Sequence, residues 1–263
     1  MKLSISRLNM LNRCPMQYEF RYIHGVIAPP GVALIVGKSV HRANASDLLN
    51  KMDSGSLLSD DEVKTIAADA TKREWESQEV ALDDDEKAEG IDKVKGAAID
   101  RSVTLATLYH EEIAPAIEPT GIEEKFTLPL PTGDELTGFI DVNTATRIRD
   151  GKTSGKSPAA EAADQSLQLT GYIWADWELS GRQIIKTGSL DYLVSLKKPK
   201  TVVLETTRTE QDFNRLHARL DVAGQMIRAG LFPPCDPGQW CCSPKWCGYW
   251  SHCAFGAKGQ KTT

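Results

Sequence analysis

Asp141 closes an apolar run, Gly138-Phe139-Ile140-Asp141, and Asp150 and Lys152 follow nine and eleven residues later. A tight connection through Asn143-Thr144-Ala145 would pair two strands and set Asp141 opposite Asp150. Lys152, two residues past Asp150, then lies on the same strand face. Two carboxylates hold a hard divalent ion such as Mg²⁺ through oxygen. Such an ion acidifies a bound water and stabilises charge on phosphoryl oxygens, and a neighbouring lysine orients the water or neutralises developing charge. That is equipment for hydrolysing a phosphodiester. Taken singly, an Asp at a strand end is usually a cap or a surface acid, and Asp-x-Lys arises by chance. The triple in a strand–turn–strand setting carries the reading. Glu123 and Glu124 read as solvated strand residues.

Gln168 and Tyr172 are four apart on the next expected helix and share one face of it. His41 stands near the start of a helix after Gly37-Lys38-Ser39, where a single histidine is more often structural than a ligand.

The six cysteines are split, with Cys14 near one end and Cys235, Cys241, Cys242, Cys247 and Cys253 near the other. Cys242, Cys247 and Cys253 offer three thiolates on a short loop, and Cys14 is the distant candidate for a fourth. A four-thiolate site takes Zn²⁺ or an iron–sulfur cluster. No Cys-x2-Cys knuckle is present, and the wide spacing favours a four-iron four-sulfur (4Fe–4S) cluster. Either metal would clip the first helix to the tail, as a structural staple or as a redox centre. Trp246, Tyr249 and Trp250 would shield it or stack on exposed bases.

Around these residues the periodicity predicts helices over 4–20 and from about Gly37, then a helical, mostly solvent-facing stretch over 53–119. Strands follow over 124–130, 136–142 and 147–152, a helix over 159–179, a strand over 184–196 and a helix over 210–229. The layout is α/β, a central sheet with an inserted helical region. The expected organisation is a single domain over 1–263. It comprises N-terminal helices over 1–52, an insertion over 53–119, a core over 120–232 and a cysteine-rich tail over 233–263.

The net charge of −5 conceals a basic segment of +5 over residues 1–52 and an acidic one of −9 over 53–100. A polyanion responds to the local field, so the average does not exclude nucleic acid. No signal peptide or membrane span is visible, which points to the cytoplasm, where thiols stay reduced.

In order and spacing, His41, Gly138 to Asp141, Asp150-Gly151-Lys152 and Gln168 to Tyr172 resemble the RecB-type branch of the PD-(D/E)XK nucleases. The likeness spans Ser6 to Cys253. It implies a restriction-endonuclease-like core, a central mixed sheet flanked by helices. It also implies Mg²⁺ or Mn²⁺ held by His41, Asp141, Asp150 and the carbonyl of Gly151, with Lys152 acting on the water. Gln168 and Tyr172 would steady the lysine and the DNA backbone. Gly151 departs from the bulky residue usual there. AddB proteins and CRISPR-associated exonucleases carry one cysteine before such a core and three after it, around an iron–sulfur cluster. By that resemblance Cys14, Cys242, Cys247 and Cys253 are the ligands, with Cys241 an alternative to Cys242 and Cys235 surplus. The expected activity is a deoxyribonuclease, an exonuclease on single-stranded DNA or DNA ends, in recombination, repair, or phage or CRISPR DNA processing. Any helicase or recombination partner would be a separate protein. The alternatives are a non-catalytic DNA-end-binding partner with the same fold, and a redox or zinc-ribbon regulator built on the cysteine tail.

Overall fold

A computed structural model describes residues 1–256; the last part of the expected tail, 257–263, lies outside the described residues. The chain forms two compact units. One comprises Met1–Pro29, Thr127–Thr137 and the chain from Asn214; the other comprises Pro30–Phe126 and Gly138–Phe213.

In the second unit, α3 (Val32–Ser54), α4 (Asp60–Glu76), α5 (Asp84–Glu89) and α6 (Ile91–Glu112) precede β2 (Pro119–Pro129), β3 (Glu135–Thr144) and β4 (Arg147–Ser154). Then come α7 (Leu167–Leu179), β5 (Thr187–Val194) and β6 (Lys200–Thr206). The sheet is mixed, with β3 between β2 and β4, then β5 and β6 outward. β3 and β4 run antiparallel with Val142 opposite Arg149, β4 and β5 run parallel from Arg147–Thr187 to Ser154–Val194, and β6 returns antiparallel to β5. Helices α3 and α7 both pack on β4.

Most residues of the helical stretch over 53–119 are exposed, but each long helix also buries one stripe. Val63, Ala67, Ala70 and Trp75 of α4, and Val94, Ala98, Leu105, Ala106 and Tyr109 of α6, are buried. Many belong to one core with Ile35, Val36, Val40 and Leu48 of α3. Some acids of this stretch cap helices, and most of the others lie exposed along them. Ser59 with Glu62, and Asp83 with Glu86, form reciprocal capping boxes at α4 and α5. The buried stripes are rich in alanine, which lets helices approach closely while adding little hydrophobic signal to the sequence. Each fully buried Leu of this core contributes about 2 kcal/mol.

In the first unit, β1 (Lys2–Leu3) pairs parallel with the start of β3, Lys2 opposite Glu135. Helix α1 (Ile5–Arg13) is capped by Ser4 Oγ, which accepts from the Arg7 N–H. It stops at Cys14, an extended residue that starts the short α2 (Pro15–Tyr18), followed by a π-helical turn over Glu19–Ile23. Pro15 at the first helical position explains the break in the expected helix over 4–20. Helix α8 (Glu210–Arg228) leads into the cysteine-rich segment.

Candidate active site

The antiparallel register of β3 and β4, continued one pair beyond Val142–Arg149, sets Asp141 opposite Asp150. The expected hairpin therefore forms. Asp150 is fully buried, and neither carboxylate oxygen has an aligned hydrogen-bond donor. Its close partners are the Lys152 ammonium, 2.5 Å from Oδ2, and the facing Asp141 carboxyl. Lys152 Nζ also donates to Gln168 Oε1 at 2.9 Å, and Gln168 Nε2 donates to Tyr172 Oη at 2.8 Å. The chain of contacts Asp150–Lys152–Gln168–Tyr172 joins β4 to the first two turns of α7.

His41 reaches the same place from α3. Its Nε2 lies 2.7 Å from Asp141 Oδ2 and its Nδ1 3.0 Å from Glu123 Oε1. Gly37 makes this approach possible. A Cβ on Gly37 would stand 3.2 Å from Thr153 Oγ1, so this face of α3 lies close on β4. Gly151 lies beneath the His41 ring, and its N–H donates to Asp141 Oδ2 at 3.3 Å. A Cβ on Gly151 would meet the ring at 3.8 Å, an ordinary contact. The departure at 151 thus leaves the charged groups in place.

Glu123, expected with Glu124 as a solvated strand residue unless one of the two reached the site, is the one that meets His41. It adopts φ +51, a left-handed conformation uncommon for a non-glycine residue. Strict alternation along β2 would not bring both glutamates inward. Glu124 turns back over Gly121, where a Cβ would stand 2.0 Å from its carboxyl carbon, and accepts from Asn143 Nδ2 at 2.8 Å. Gly121 just before a Glu-Glu pair was the available sign of this irregularity.

The start of α7, which presents Gln168, is held from below. Ser166 Oγ accepts from the Leu169 N–H, and the buried Arg208 donates to the carbonyls of Ala163 and Ser166 and to Thr170 Oγ1. This irregular turn replaces the first part of the helix expected from 159; α7 proper starts at Leu167.

Charge is crowded here. Burial raises the proton affinity of Asp150, and the facing Asp141 carboxylate raises it further. Burial acts the same way on Asp141, but the hydrogen bond and charge of His41 outweigh it and leave its pKa lowered. Burial lowers that of His41, yet hydrogen bonds to Asp141 and Glu123 carry it up to about 10. Burial likewise raises the Tyr172 hydroxyl. Two side-chain cations thus face three carboxyl groups, of which Asp150 keeps its proton up to about pH 8.

The residues fit a divalent cation. Ligand atoms of His41, Glu123 and Asp141 lie within 4.8 Å of one another, and neither buried Asp150 oxygen has an aligned donor. Carboxylate oxygens with one imidazole nitrogen suit a hard or borderline divalent ion.

In the other unit all six cysteines line one cavity, together with Met16, Gln17, Phe20 and Trp250. Cys14 is buried. Gln17 Nε2 donates to Cys247 Sγ at 3.3 Å, and Cys253 Sγ lies 3.4 Å from Met16 Sδ. Cys235, surplus on the sequence reading, has its sulfur 3.8 Å from that of Cys241 and interacts with Cys14. Burial raises the thiols of Cys235 and Cys247, Cys14 adding to both. Sulfurs gathered in this way fit a thiophilic metal centre, whose positive charge would release their protons.

A mixed sheet flanked by helices, with facing aspartates and a lysine two residues on, defines a nuclease of the metal-using kind. The family model described as the PD-(D/E)XK nuclease superfamily matches residues 2–254, and the chain belongs to that superfamily. Among solved structures it is similar to a "putative exonuclease" from Eubacterium rectale, at a TM-score of 0.58 and 12% identity, covering 92% of this chain and 86% of that one. At that identity the likeness shows the fold. No curated protein matches the chain. Among the described residues no helix is long and apolar enough to cross a membrane.

Proposed function

We propose that this nuclease is a Mg²⁺- or Mn²⁺-dependent deoxyribonuclease that degrades single-stranded DNA or DNA from its ends. The observation that carries the reading is the convergence of Asp141, Asp150 and Lys152, joined by His41 and Glu123, on one face of the β3–β4 hairpin. Asp141, Asp150 and His41 would hold the ion with the Gly151 carbonyl, as the sequence suggests, and Glu123 joins them as a further ligand. The bound ion would acidify a water and stabilise charge on the phosphate. Lys152, freed from Asp150 by that charge, orients the water and meets the developing negative charge. Gln168 fixes the ammonium by accepting from it, and Tyr172 fixes the amide. His41 becomes a ligand only after losing its proton, so the ion takes the place of the imidazolium charge between Asp141 and Glu123.

The cysteine cavity holds a 4Fe–4S cluster on Cys14, Cys242, Cys247 and Cys253 in this reading. Cys241 is the less suitable fourth ligand, because its sulfur faces the Arg13 carbonyl at 3.8 Å. A carbonyl favours S–H over thiolate there. The chain acts as one nuclease unit in the cytoplasm, in recombination, repair, or phage or CRISPR DNA processing, with any helicase or recombination protein as a separate partner.

The test is incubation of end-labelled DNA, linear and circular, with the purified protein and Mn²⁺. Linear DNA is degraded by wild type and spared by Asp150→Ala. Equal degradation by both, or degradation by neither, overturns the proposed site. Metal-independent binding without cleavage would mark a non-catalytic DNA-end binder instead.

A further inference from the structure

The aromatic residues of the cysteine-rich segment divide into two sets. Tyr249 is buried and stacks on Phe20 with centroids 5.6 Å apart, and Trp250 lines the cysteine cavity. These two shield the sulfurs. Trp240 and Trp246 do not; each is 60% exposed. The two indoles touch edge-to-face, with centroids 6.1 Å apart, and each carries a cation over one face of its ring, leaving the other for a base. The Arg13 guanidinium lies 5.9 Å from the Trp240 centroid, and Lys245 Nζ 5.6 Å from that of Trp246. Two large apolar rings held at right angles in water bury little of their own area, and the fold has no evident need of them. Isolated exposed hydrophobics need no explanation, but a paired and cation-flanked set does.

We propose that Trp240 and Trp246, with Arg13 and Lys245, form a gripping site for single-stranded DNA. The occupant follows from the chemistry. An unpaired base offers a flat π-face to an open indole, and the phosphate beside it offers a negative charge to the adjacent cation. Paired bases in a duplex hide their faces in the stack, so a duplex meets only the cations. A crossed pair of rings takes two bases splayed apart, which only a single strand allows. The site reads no sequence, since every base has a π-face. This inference rests on the deoxyribonuclease reading and names the form of DNA that the protein holds.

The experiment measures binding of a fluorescein-labelled oligothymidylate of twenty nucleotides to the full chain, with its metal centre, in buffer without added divalent ions. Anisotropy and indole fluorescence are both recorded. Wild type binds the oligonucleotide with quenching of its indole emission and binds a blunt duplex of equal length more weakly. Trp240→Ala and Trp246→Ala each weaken the single strand about tenfold, in line with loss of one stacked base. Trp240→Phe and Trp246→Phe keep most of the affinity, which separates loss of the ring from loss of folding. Replacing Arg13 or Lys245 by Ala lowers the slope of log affinity against log salt by about 0.7 each. Wild-type affinity in the double alanine variant overturns the proposal and would leave the indoles to a protein partner. Absence of single-strand binding by wild type overturns it as well. A parallel cleavage assay with Mn²⁺ on the same preparations tells either result apart from failure of the nuclease reading.

Discussion

Lys152 Nζ stands 2.5 Å from Asp150 Oδ2, two residues back along the same face of β4, and this ion pair is the closest contact of a fully buried carboxylate. Removing the lysine takes away the cation that favours the ionised carboxyl, so Asp150 keeps its proton to higher pH. Lys152→Ala should therefore lower metal-free stability by about 3 kcal/mol only at alkaline pH, where the buried carboxyl would otherwise ionise beside the ammonium. Added Mn²⁺ should recover part of it. Cleavage should fall about a thousandfold, as when a group aimed at transition-state charge is lost. Chemical denaturation and a DNA cleavage assay on one preparation measure both.

A divalent ion should stabilise the protein, because it supplies positive charge among three carboxyl groups, one of them the protonated Asp150 that it ionises. At a hundredfold excess over its dissociation constant, Mn²⁺ should add about 2.7 kcal/mol. Asp141→Asn should lose most of this. Thermal unfolding with and without Mn²⁺ reads it, and an equal shift in both proteins would remove Asp141 from the ligand set.

The same crowding sets a pH dependence. Asp150 has its folded pKa raised above the ordinary 3.8, by burial first and by Asp141 second. Between 3.8 and the raised value, the folded metal-free protein holds a proton that the unfolded chain has released. Stability from this group is therefore present at low pH and lost as pH rises through that window. Asp150→Asn should flatten this part of the metal-free profile. Mn²⁺ must displace the proton, so its affinity should rise with pH over the same window. Calorimetric titration at several pH values checks the sign.

Gly138 is a packing requirement. A Cβ there would stand 2.7 Å from the Phe126 ring, which meets Tyr172 edge-on with centroids 5.9 Å apart. Gly138→Ala should cost about 1–3 kcal/mol through overpacking, and should lower activity by pushing Phe126 against Tyr172. Gly151→Ala, whose added carbon meets His41 at an ordinary 3.8 Å, should fold and cleave like wild type. Denaturant midpoints of the two variants give the contrast.

These contrasts mark what a sequence can reveal. Asp141 and Asp150 were legible because a short antiparallel connection leaves few registers, and the pattern around them fits one. Gln168 and Tyr172 were legible because helical spacing is regular. His41 depends on how α3 lies over β4, a matter of Gly37 making room, and local pattern carries no such information. Glu123 was hidden by its left-handed backbone, since alternation holds only for regular strands. The edge strand β6 follows Lys197-Lys198-Pro199 and has a largely uncovered pattern, so it lacks an apolar signature. The alanine-lined faces of α4 and α6 concealed a core beneath a surplus of acids.

Gln168 should act by placement alone. It touches Lys152 with one amide atom and Tyr172 with the other. Gln168→Leu keeps the volume but removes both bonds, so kcat should fall about tenfold to a hundredfold while KM changes little. Tyr172→Phe removes one bond further out and should cost less. An equal rise in KM for Gln168→Leu would point to substrate binding.

The sulfur cavity gives the last prediction, and it separates ligands from neighbours. If Cys14, Cys242, Cys247 and Cys253 hold an iron–sulfur cluster, each Cys→Ser change should remove iron and the brown colour from anaerobically purified protein. Cys14→Ser should be the most damaging. Cys14 is buried at the junction of α1 and α2, and its loss cuts the link between the start of the chain and its distant cysteines. Closing a loop of more than two hundred residues is worth about 5 kcal/mol on a chain-entropy estimate. Cys235→Ser and Cys241→Ser should keep iron on the proposed ligand set, because Cys235 is surplus to it and the Cys241 sulfur faces a carbonyl at 3.8 Å. Iron and sulfide analysis of the six single variants decides it. Iron retained in Cys242→Ser but lost in Cys241→Ser would transfer the fourth position, and stoichiometric zinc in a colourless wild type would replace the cluster by a zinc site.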